Sequence, residues 1–167
     1  MLKQVTIQDL ELLYHIETTC FPIQEAASYQ SLKERLAVYH EGFEIFYIAH
    51  QAIGYIGGLR NNECNLPDSM YENAFLHQEN GKYQMIFSVC ILPEYRGHGL
   101  QKILVKHLEK MAKEKGIKNI IAEVTFGNVY SLRNLNDLGY AEQTWYQKDE
   151  NIKRYILLKK LGEVENE

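Results

Sequence analysis

A glycine-rich turn precedes a long helix-like segment in the middle of the chain. The segment 92–111 is LPEYRGHGLQKILVKHLEKM, in which Arg96, Gly97, His98 and Gly99 directly precede apolar residues at helical spacing. The first backbone N–H groups of a helix have no partner within the helix, and the helix dipole makes that end partly positive. Glycines let a ligand approach the backbone because they carry no Cβ. The pattern therefore predicts an anion site that suits a phosphate or a pyrophosphate.

The turn does not match the common nucleotide-binding loops. No Lys–Ser or Lys–Thr pair follows the glycines, as a P-loop requires. The three-glycine spacing of the dinucleotide fingerprint is also absent. The anion has to be identified from the rest of the chain.

A second group of polar residues follows a later apolar segment. The stretch 123–140 is EVTFGNVYSLRNLNDLGY, in which Asn128 and Ser131 begin a short helix-like pattern and Gly139 ends it. Asn is favoured at helix starts and Gly just after helix ends. Glu123 lies on the preceding predicted strand, where a carboxylate can accept a proton from a reacting group.

The apolar patterns place these groups in a predicted α/β fold of the α+β type. The order is one strand, two helices, three strands, a helix, a strand, a helix and two strands. This order predicts a central mixed, mostly antiparallel sheet of about seven strands flanked by about four helices. The predicted strands are 2–6, 44–51, 52–60, 82–92, 118–126, 141–147 and 152–160. One predicted helix begins after Thr6 or Asp9, and the other three cover 28–40, 100–115 and 128–140. The connection 61–81 is longer than most loops, which is typical of functional segments.

The composition is that of one soluble globular domain, which we expect to cover residues 1–167. Hydrophobic residues make up 46% and charged residues 24%, and the net charge of −4 disfavours a general nucleic-acid partner. We find no signal peptide and no apolar run of 18 residues, so no membrane partner is expected. Cys20, Cys64 and Cys90 are odd in number and widely spaced, which predicts neither disulfides nor a metal site and favours a cytoplasmic location.

Together the two polar patterns resemble those of the GCN5-related N-acetyltransferase (GNAT) superfamily. The segment 89–101, VCILPEYRGHGLQ, is similar to that family's coenzyme A pyrophosphate turn, and 123–140 resembles its second motif. The segments CFPIQEAAS at 20–28 and LPDSMYENAFLH at 66–77 are similar to bacterial relatives of the arylalkylamine acetyltransferases. The resemblance covers nearly the whole chain and implies the GNAT fold.

The resemblance implies acetyl-CoA as the cosubstrate. The glycine turn would bind the pyrophosphate, the strand before it would pair with the pantetheine arm, and the second motif would hold the arm from the other side. The implied cofactor-binding residues are Val89, Cys90, Ile91, Arg96, Gly97, His98, Gly99, Leu100, Gln101, Lys102, Asn128 and Ser131. Gln101 departs from the family pattern, which usually has Gly or Ala there. Its side chain would either crowd the turn or hydrogen-bond a phosphate oxygen.

Acetyl transfer to an amine depends mainly on a base. A simple alkylamine has a pKa near that of Lys, about 10.4, so removing its proton at neutral pH costs about 4 kcal/mol. The leaving thiol has a pKa near 8.5 and departs more readily. Related ribosomal-protein acetyltransferases use a glutamate as base, so the resemblance implies this catalytic role for Glu123. Leu135 replaces the Tyr that usually serves as acid, which leaves Tyr130 as the acid candidate or an unassisted or water-assisted departure of the thiolate.

Glu25 and His77 are the predicted substrate contacts, because the segments that contain them should cover the acceptor side of the site. The leading hypothesis is an acetyl-CoA-dependent N-acetyltransferase that acts on a primary amine of a small molecule in a ternary complex. One alternative is a non-catalytic acyl-CoA-binding or sensing module, which Leu135 favours. Another is a protein or peptide N-acetyltransferase. Dimers are common in the family, so a homodimer is also considered.

Overall fold

The computed structural model describes residues 1–64 and 67–162, apart from the side chains of Pro67 and Asp68. Within these residues, nine strands form two sheets. The first sheet has the antiparallel order β1-β2-β3-β6, with β1 Leu2–Gln4, β2 Phe43–Ile48, β3 Gln51–Gly57 and β6 Ser88–Ile91. The second has the order β4-β5-β7-β9-β8, with β4 Arg60–Asn61, β5 Tyr83–Ile86, β7 Asn119–Thr125, β8 Ala141–Gln147 and β9 Lys153–Lys160.

Five α-helices in the described part of the chain accompany these sheets. They are α1 Leu10–Cys20, α2 Tyr29–Tyr39, α3 Pro67–Glu72, α4 Leu100–Glu114 and α5 Val129–Asp137. Local side-chain chemistry starts two of them: Ser28 Oγ accepts from the Ser31 N–H at 3.1 Å, and Asn128 Oδ1 accepts from the Ser131 N–H at 3.2 Å. The predicted α+β class with a mixed, mostly antiparallel sheet is confirmed, with β5 and β7 as the parallel pair.

The predicted strand 82–92 is in fact two strands, which belong to different sheets. β5 runs parallel to β7, whereas β6 runs antiparallel to β3. Phe87 lies at the change, where its N–H donates to the Gly57 carbonyl at 2.9 Å and its own carbonyl accepts from the Tyr71 hydroxyl at 2.8 Å. Both backbone groups of the break are therefore satisfied, as burial requires. Beyond Phe87, β6 diverges from β7, and a wedge opens between these two strands.

The long connection 61–81 is packed on the domain and contains α3. The Asn61 amide donates to the Leu76 carbonyl at 2.7 Å, and the Arg35 guanidinium on α2 donates to the Tyr71 carbonyl at 2.9 Å. Asn65 and Leu66 in this connection lie outside the described residues, as do 163–167 at the end of the predicted domain.

Successive side chains of a strand point to opposite faces of the sheet, so the strands contribute to two apolar layers. The layer beside α1 and α2 includes Leu13, Leu36, Ile45, Tyr55, Cys90 and Ile121. The layer beside α4 includes Ile56, Ile91, Leu104, Leu108, Ile120 and Leu157. Both sheets contribute to both layers, so the wedge opens within a continuous core.

Across the described residues, none of the helices combines the length and the apolar character that crossing a membrane requires.

The close contact of β3 with β6 depends on Gly54. A Cβ at this position would lie 2.3 Å from the Cys90 carbonyl oxygen, which is part of the backbone and cannot rotate away. We expect Gly54→Ala to lower the free energy of unfolding by about 1–3 kcal/mol, as overpacking typically does. Urea unfolding measures this change. Gly162→Ala is the matched control, since none of the described residues outside its own chain neighbours lies within 4 Å of the added atom there. Equal stability of the two variants would contradict the expectation.

Candidate active site

A cleft of about 910 Å³ lies in the wedge between β6 and the start of α5, with the glycine turn at one end. Ten of the twelve predicted cofactor-binding residues line it, namely Val89, Cys90, Ile91, Arg96, Gly97, Gly99, Leu100, Gln101, Asn128 and Ser131. His98 and Lys102 are not among the lining residues. His98 is exposed, and the Lys102 ammonium pairs with the Asp137 carboxylate at 2.8 Å.

The free edge of β6 faces this cleft. The Leu92 N–H donates to the Ile53 carbonyl of β3 at 2.7 Å, and Cys90 is opposite Tyr55 on β3. Because hydrogen-bonding direction alternates along an antiparallel pair, the backbone of Cys90 also points to β3. The backbone groups of Val89 and Ile91 point into the cleft. An extended ligand can therefore pair with Val89 and with the Ile91 N–H, since the Ile91 carbonyl already accepts from Arg96. The predicted pairing with Cys90 would use backbone groups that point to β3 instead.

The glycine turn has the geometry of an anion cradle. Gly97 and Gly99 have φ of 85° and 72°, in the left-handed region where a side chain is strained, and an added Cβ at either would meet open space. The Arg96 Nε donates to the Ile91 carbonyl at 2.8 Å and ties the turn to β6. Arg133 on α5 also lines the cleft and brings a second exposed guanidinium to it. The residues present thus fit a pyrophosphate.

Gln101 connects the two helices that flank the cleft. Its amide nitrogen donates to Ser131 Oγ at 2.9 Å, and its amide oxygen accepts from the Asn134 side chain at 2.7 Å. Both polar ends of the side chain are therefore occupied by α5. This arrangement explains the departure from the family pattern, because the extra length joins α4 to α5.

The cleft continues into a smaller inner pocket of about 50 Å³. Six residues line both spaces, namely Phe21, Glu25, Val89, Thr125, Asn128 and Ser131. The lining of the inner pocket includes the polar residues Glu17, Tyr71, Glu123 and Arg154 and the apolar residues Ile86, Ala122, Val124 and Leu135. A volume of this size holds a group of only a few atoms, since one water occupies about 10–15 Å³ on this measure.

Glu123 lies on the wall of the inner pocket within a polar cluster. Its Oε2 accepts from the Tyr146 hydroxyl at 2.9 Å and lies 3.5 Å from Arg154 Nη1. The two charged side chains are 3% and 4% exposed, so this is a buried ion pair. Burial, followed by the charge of Glu123, raises the pKa of Tyr146, which keeps that hydroxyl protonated as the donor.

Glu17 on α1 also lines the inner pocket. Its carboxylate accepts from the Ala27 N–H at 2.8 Å and from the Tyr55 hydroxyl. Burial raises the pKa of Glu17, while those two hydrogen bonds and the charge of Arg35 act in the opposite direction. The bond to Ala27 also holds the segment between α1 and α2, which brings Glu25 to the pocket.

Tyr71 lines the inner pocket and is held between two guanidinium groups. The Arg35 guanidinium lies 4.5 Å and the Arg154 guanidinium 4.6 Å from the centre of its ring. Burial raises the pKa of Tyr71 to about 12, so its hydroxyl stays protonated and bound to the Phe87 carbonyl. Arg35 is 1% exposed, and its Nε and Nη1 make no hydrogen bond with any described residue. Stacking on aromatic rings stabilises such a buried cation.

The remaining predicted site residues differ in their positions relative to the cleft and the inner pocket. Glu25 lines both spaces, and none of the described residues hydrogen-bonds its side chain. Tyr130 is 75% exposed and lines the outer cleft without reaching the inner pocket. His77 lines neither space, because its ring stacks on Tyr39 at 4.4 Å and its Nδ1 accepts from the Arg60 N–H at 3.0 Å. The geometry therefore gives the predicted substrate contact of His77 no support.

Sequence reasoning missed Glu17, Tyr71, Tyr146 and Arg154 as parts of the site. Each comes from a different element, so no spacing along the chain relates them. One signal was present for Glu17, a charged residue that follows Ile16 within the apolar stripe of a helix. Charged residues are rarely buried without partners, and here burial accompanies a role at the pocket.

Comparisons with known proteins agree with this geometry. A model described as the acetyltransferase (GNAT) family matches residues 10–140. No curated protein sequence matches the chain. The loading GNATL domain of CurA from Lyngbya majuscula has a similar structure, with a TM-score of 0.85, 18% identity and 96% of each chain covered.

Two further solved structures are also similar. GphF, described as a GNAT-like decarboxylase in complex with isobutyryl-CoA, has a TM-score of 0.80 and 16% identity, with 95% of this chain and 97% of that chain covered. The ribosomal-protein-S18-alanine N-acetyltransferase from Escherichia coli has a TM-score of 0.75 and 15% identity, with 98% and 95% covered. At such identities the likeness concerns the fold.

The buried pair of Glu123 and Arg154 generates a prediction about stability. Arg154→Met removes one partner of a buried ion pair, so we expect the free energy of unfolding to fall by about 3 kcal/mol. Adding Glu123→Gln should recover part of this loss, which a double-mutant cycle in urea measures. Lys102→Met, which breaks the exposed pair with Asp137, should cost less than about 1 kcal/mol. Strict additivity of the two changes would show that the pair is not coupled.

The contacts of Gln101 generate a second prediction. Gln101→Ala removes two hydrogen bonds between α4 and α5, so we expect a loss of stability of about 1–2 kcal/mol. We also expect coenzyme A to bind several-fold more weakly in calorimetry, because Ser131 is no longer held in place. Lys106→Ala, an exposed position on the same helix, is the control. Tighter binding by Gln101→Ala would mean that the native side chain crowds the turn.

Proposed function

The chain belongs to the acetyltransferase (GNAT) family of enzymes, and we propose that it transfers an acetyl group from acetyl-CoA to a primary amine of a small molecule. The observation that carries this proposal is the continuity of the cofactor cleft with the inner pocket. Six residues are common to the two spaces, so a donor in one and an acceptor in the other would meet directly. This arrangement supports a ternary complex with direct transfer.

Residues of the turn and of β6 would hold the cosubstrate. The N–H groups at the start of α4 would face the pyrophosphate, and the free edge of β6 would pair with the pantetheine arm through Val89 and Ile91. Asn128 and Ser131 would line the arm on the other side. Bound acetyl-CoA supplies the acetyl group as a thioester.

The carboxylates around the inner pocket favour a cationic acceptor. Glu25 lies where cleft and pocket join and would attract the ammonium form of an amine. Glu123 would then take the proton on its carboxylate, a general-base contribution of typically 10²–10⁴ in rate. Arg154 pairs with the ionised form of Glu123, which is the form that a base needs.

The reaction also needs stabilisation of the carbonyl oxygen and departure of the thiolate, which the backbone and solvent would provide. The Val89 N–H points from the free edge of β6 towards the space where cleft and pocket meet, and it would donate to the oxygen on which charge develops. Tyr130 lies outside the inner pocket, and Leu135 has no proton to donate. We therefore propose that the thiolate leaves without a protein acid, which its low basicity permits.

The fixed position of Tyr71 in the lining of the inner pocket supports a small acceptor rather than a protein chain. Tyr71 is held by Arg35, Arg154 and the Phe87 carbonyl, so the connection that contains α3 would limit the space for a larger acceptor. A peptide acceptor would need an open groove at the same place. The acidic residues also disfavour an acceptor whose reacting end is anionic.

The first test of the proposed function is release of free thiol from acetyl-CoA with arylalkylamines, polyamines and peptides as acceptors. We expect turnover with one class of small amines. Glu123→Gln should lower kcat by a factor of about 10²–10⁴ without changing the affinity for coenzyme A. Glu142→Gln, on the exposed strand β8, is the matched control and should behave as the native protein does.

Two outcomes would contradict this function. Binding of coenzyme A without turnover on any amine would favour the sensing module instead. Full activity of Glu123→Gln, with unfolding unchanged, would exclude Glu123 as the base.

A further inference from the structure

Two thiols line the cofactor cleft and have no part in the proposed acetyl transfer. Cys20 is the last residue of α1 and is half-buried, and Cys90 is a buried residue of β6. Both are free cysteines, and both line the cleft. Cys64 is exposed and does not line it.

The segments that carry the two thiols pack against each other beside the cleft. Helix α1 packs against β6, and Cys20 packs against the apolar layer that contains Cys90. Their mutual hydrogen bond, followed by the charge of Arg96, lowers the pKa of Cys20 despite its partial burial. Burial and the same hydrogen bond raise the pKa of Cys90. Cys20 is therefore the better thiolate of the pair, and a second thiol lies beside it.

The pair also lies near the reacting end of the cleft. Phe21 and Val89 line both the cleft and the inner pocket, and they are the chain neighbours of Cys20 and Cys90. A thiol held where acetyl transfer is proposed would therefore lie close to Cys20. Redox-responsive cysteines typically combine a lowered pKa, access to solvent and a neighbouring second thiol.

We propose that Cys20 and Cys90 form a thiol–disulfide exchange site for oxidised coenzyme A, an inference that rests on the proposed coenzyme A function of the cleft. The cleft would raise the effective concentration of this particular disulfide at Cys20. Exposed thiols elsewhere would react without that advantage.

The exchange has two steps, and each is balanced. First, the Cys20 thiolate attacks one sulfur of coenzyme A disulfide, so a bond forms between Cys20 and one coenzyme A while the other leaves as a thiolate. Second, Cys90 loses its proton to solvent and attacks the sulfur of Cys20, which forms the Cys20–Cys90 disulfide and releases the second coenzyme A. The protein loses two electrons, and coenzyme A disulfide is reduced to two thiols.

Either product would stop acetyl transfer until it is reduced. The mixed disulfide would hold coenzyme A covalently in the cleft, and the internal disulfide would join α1 to β6 beside it. A thiol reductant reverses both, because the bonds are ordinary disulfides. The site would thus match activity to the redox state of the coenzyme A pool.

The test incubates the full chain with coenzyme A disulfide and follows intact mass and peptide maps without reduction. The native protein should finish with the Cys20–Cys90 disulfide. Cys90→Ala should stop with one coenzyme A bound to Cys20 as a mixed disulfide. Cys20→Ser should form no mixed disulfide in the cleft, and Cys64→Ser should react as the native protein does. Reaction at Cys20 should be at least about tenfold faster with coenzyme A disulfide than with oxidised glutathione.

Three results would overturn the inference: no modification of Cys20 in Cys90→Ala, equal rates with the two disulfides, or reaction at Cys64 alone. Calorimetric binding of reduced coenzyme A separates this failure from failure of the proposed function. Normal binding with an inert Cys20 would reject only the exchange site. Absence of binding would reject the coenzyme A cleft itself.

Discussion

The separation of β5 from β6 at Phe87 is the constraint on which the rest of the structure depends. A continuous strand would pair with β3 and β7 on its two sides along its whole length and leave no space. Because β5 stays with β7 while β6 stays with β3, one edge of β6 is free within the core. That edge forms a wall of the cleft. The backbone groups at the break are satisfied by Gly57 and by the Tyr71 hydroxyl, so the divergence leaves neither of them unpaired.

The separation of β5 from β6 also leaves charged side chains buried around the inner pocket. Glu17, Glu123, Arg35 and Arg154 are all buried around one small pocket, where isolated charges would be costly. They are held by mutual attraction, by the hydroxyls of Tyr55 and Tyr146, and by the ring of Tyr71. Such an arrangement holds two hydrogen-bonded carboxylates close to apolar residues of the same pocket. The proposed binding of a cationic acceptor and transfer of its proton would take place among these groups.

Several parts of the fold and the site were predictable from local sequence. The apolar periods of α1, α2 and α4 lie on the buried faces, and the glycine turn at 96–99 has the left-handed backbone that its composition suggests. The break in the strand 82–92 was not predictable, because an apolar run fits one long strand as well as two short ones. The position of His77 was also not predictable, since its stacking on Tyr39 joins segments far apart in the chain.

By itself, the sequence determined the α+β class, the helices α1, α2, α4 and α5 and the glycine turn at 96–99, and its resemblance to a known family predicted ten of the residues that line the cleft. The helices and the turn depend on periodicity and on turn chemistry, which act over a few neighbouring residues. Only the tertiary structure decided which backbone groups of β6 remain free, that Gln101 binds α5, and that Glu123 pairs with Arg154. It also brought Cys20 beside Cys90. Such pairings join residues tens of positions apart, and burial rather than local preference selects their partners.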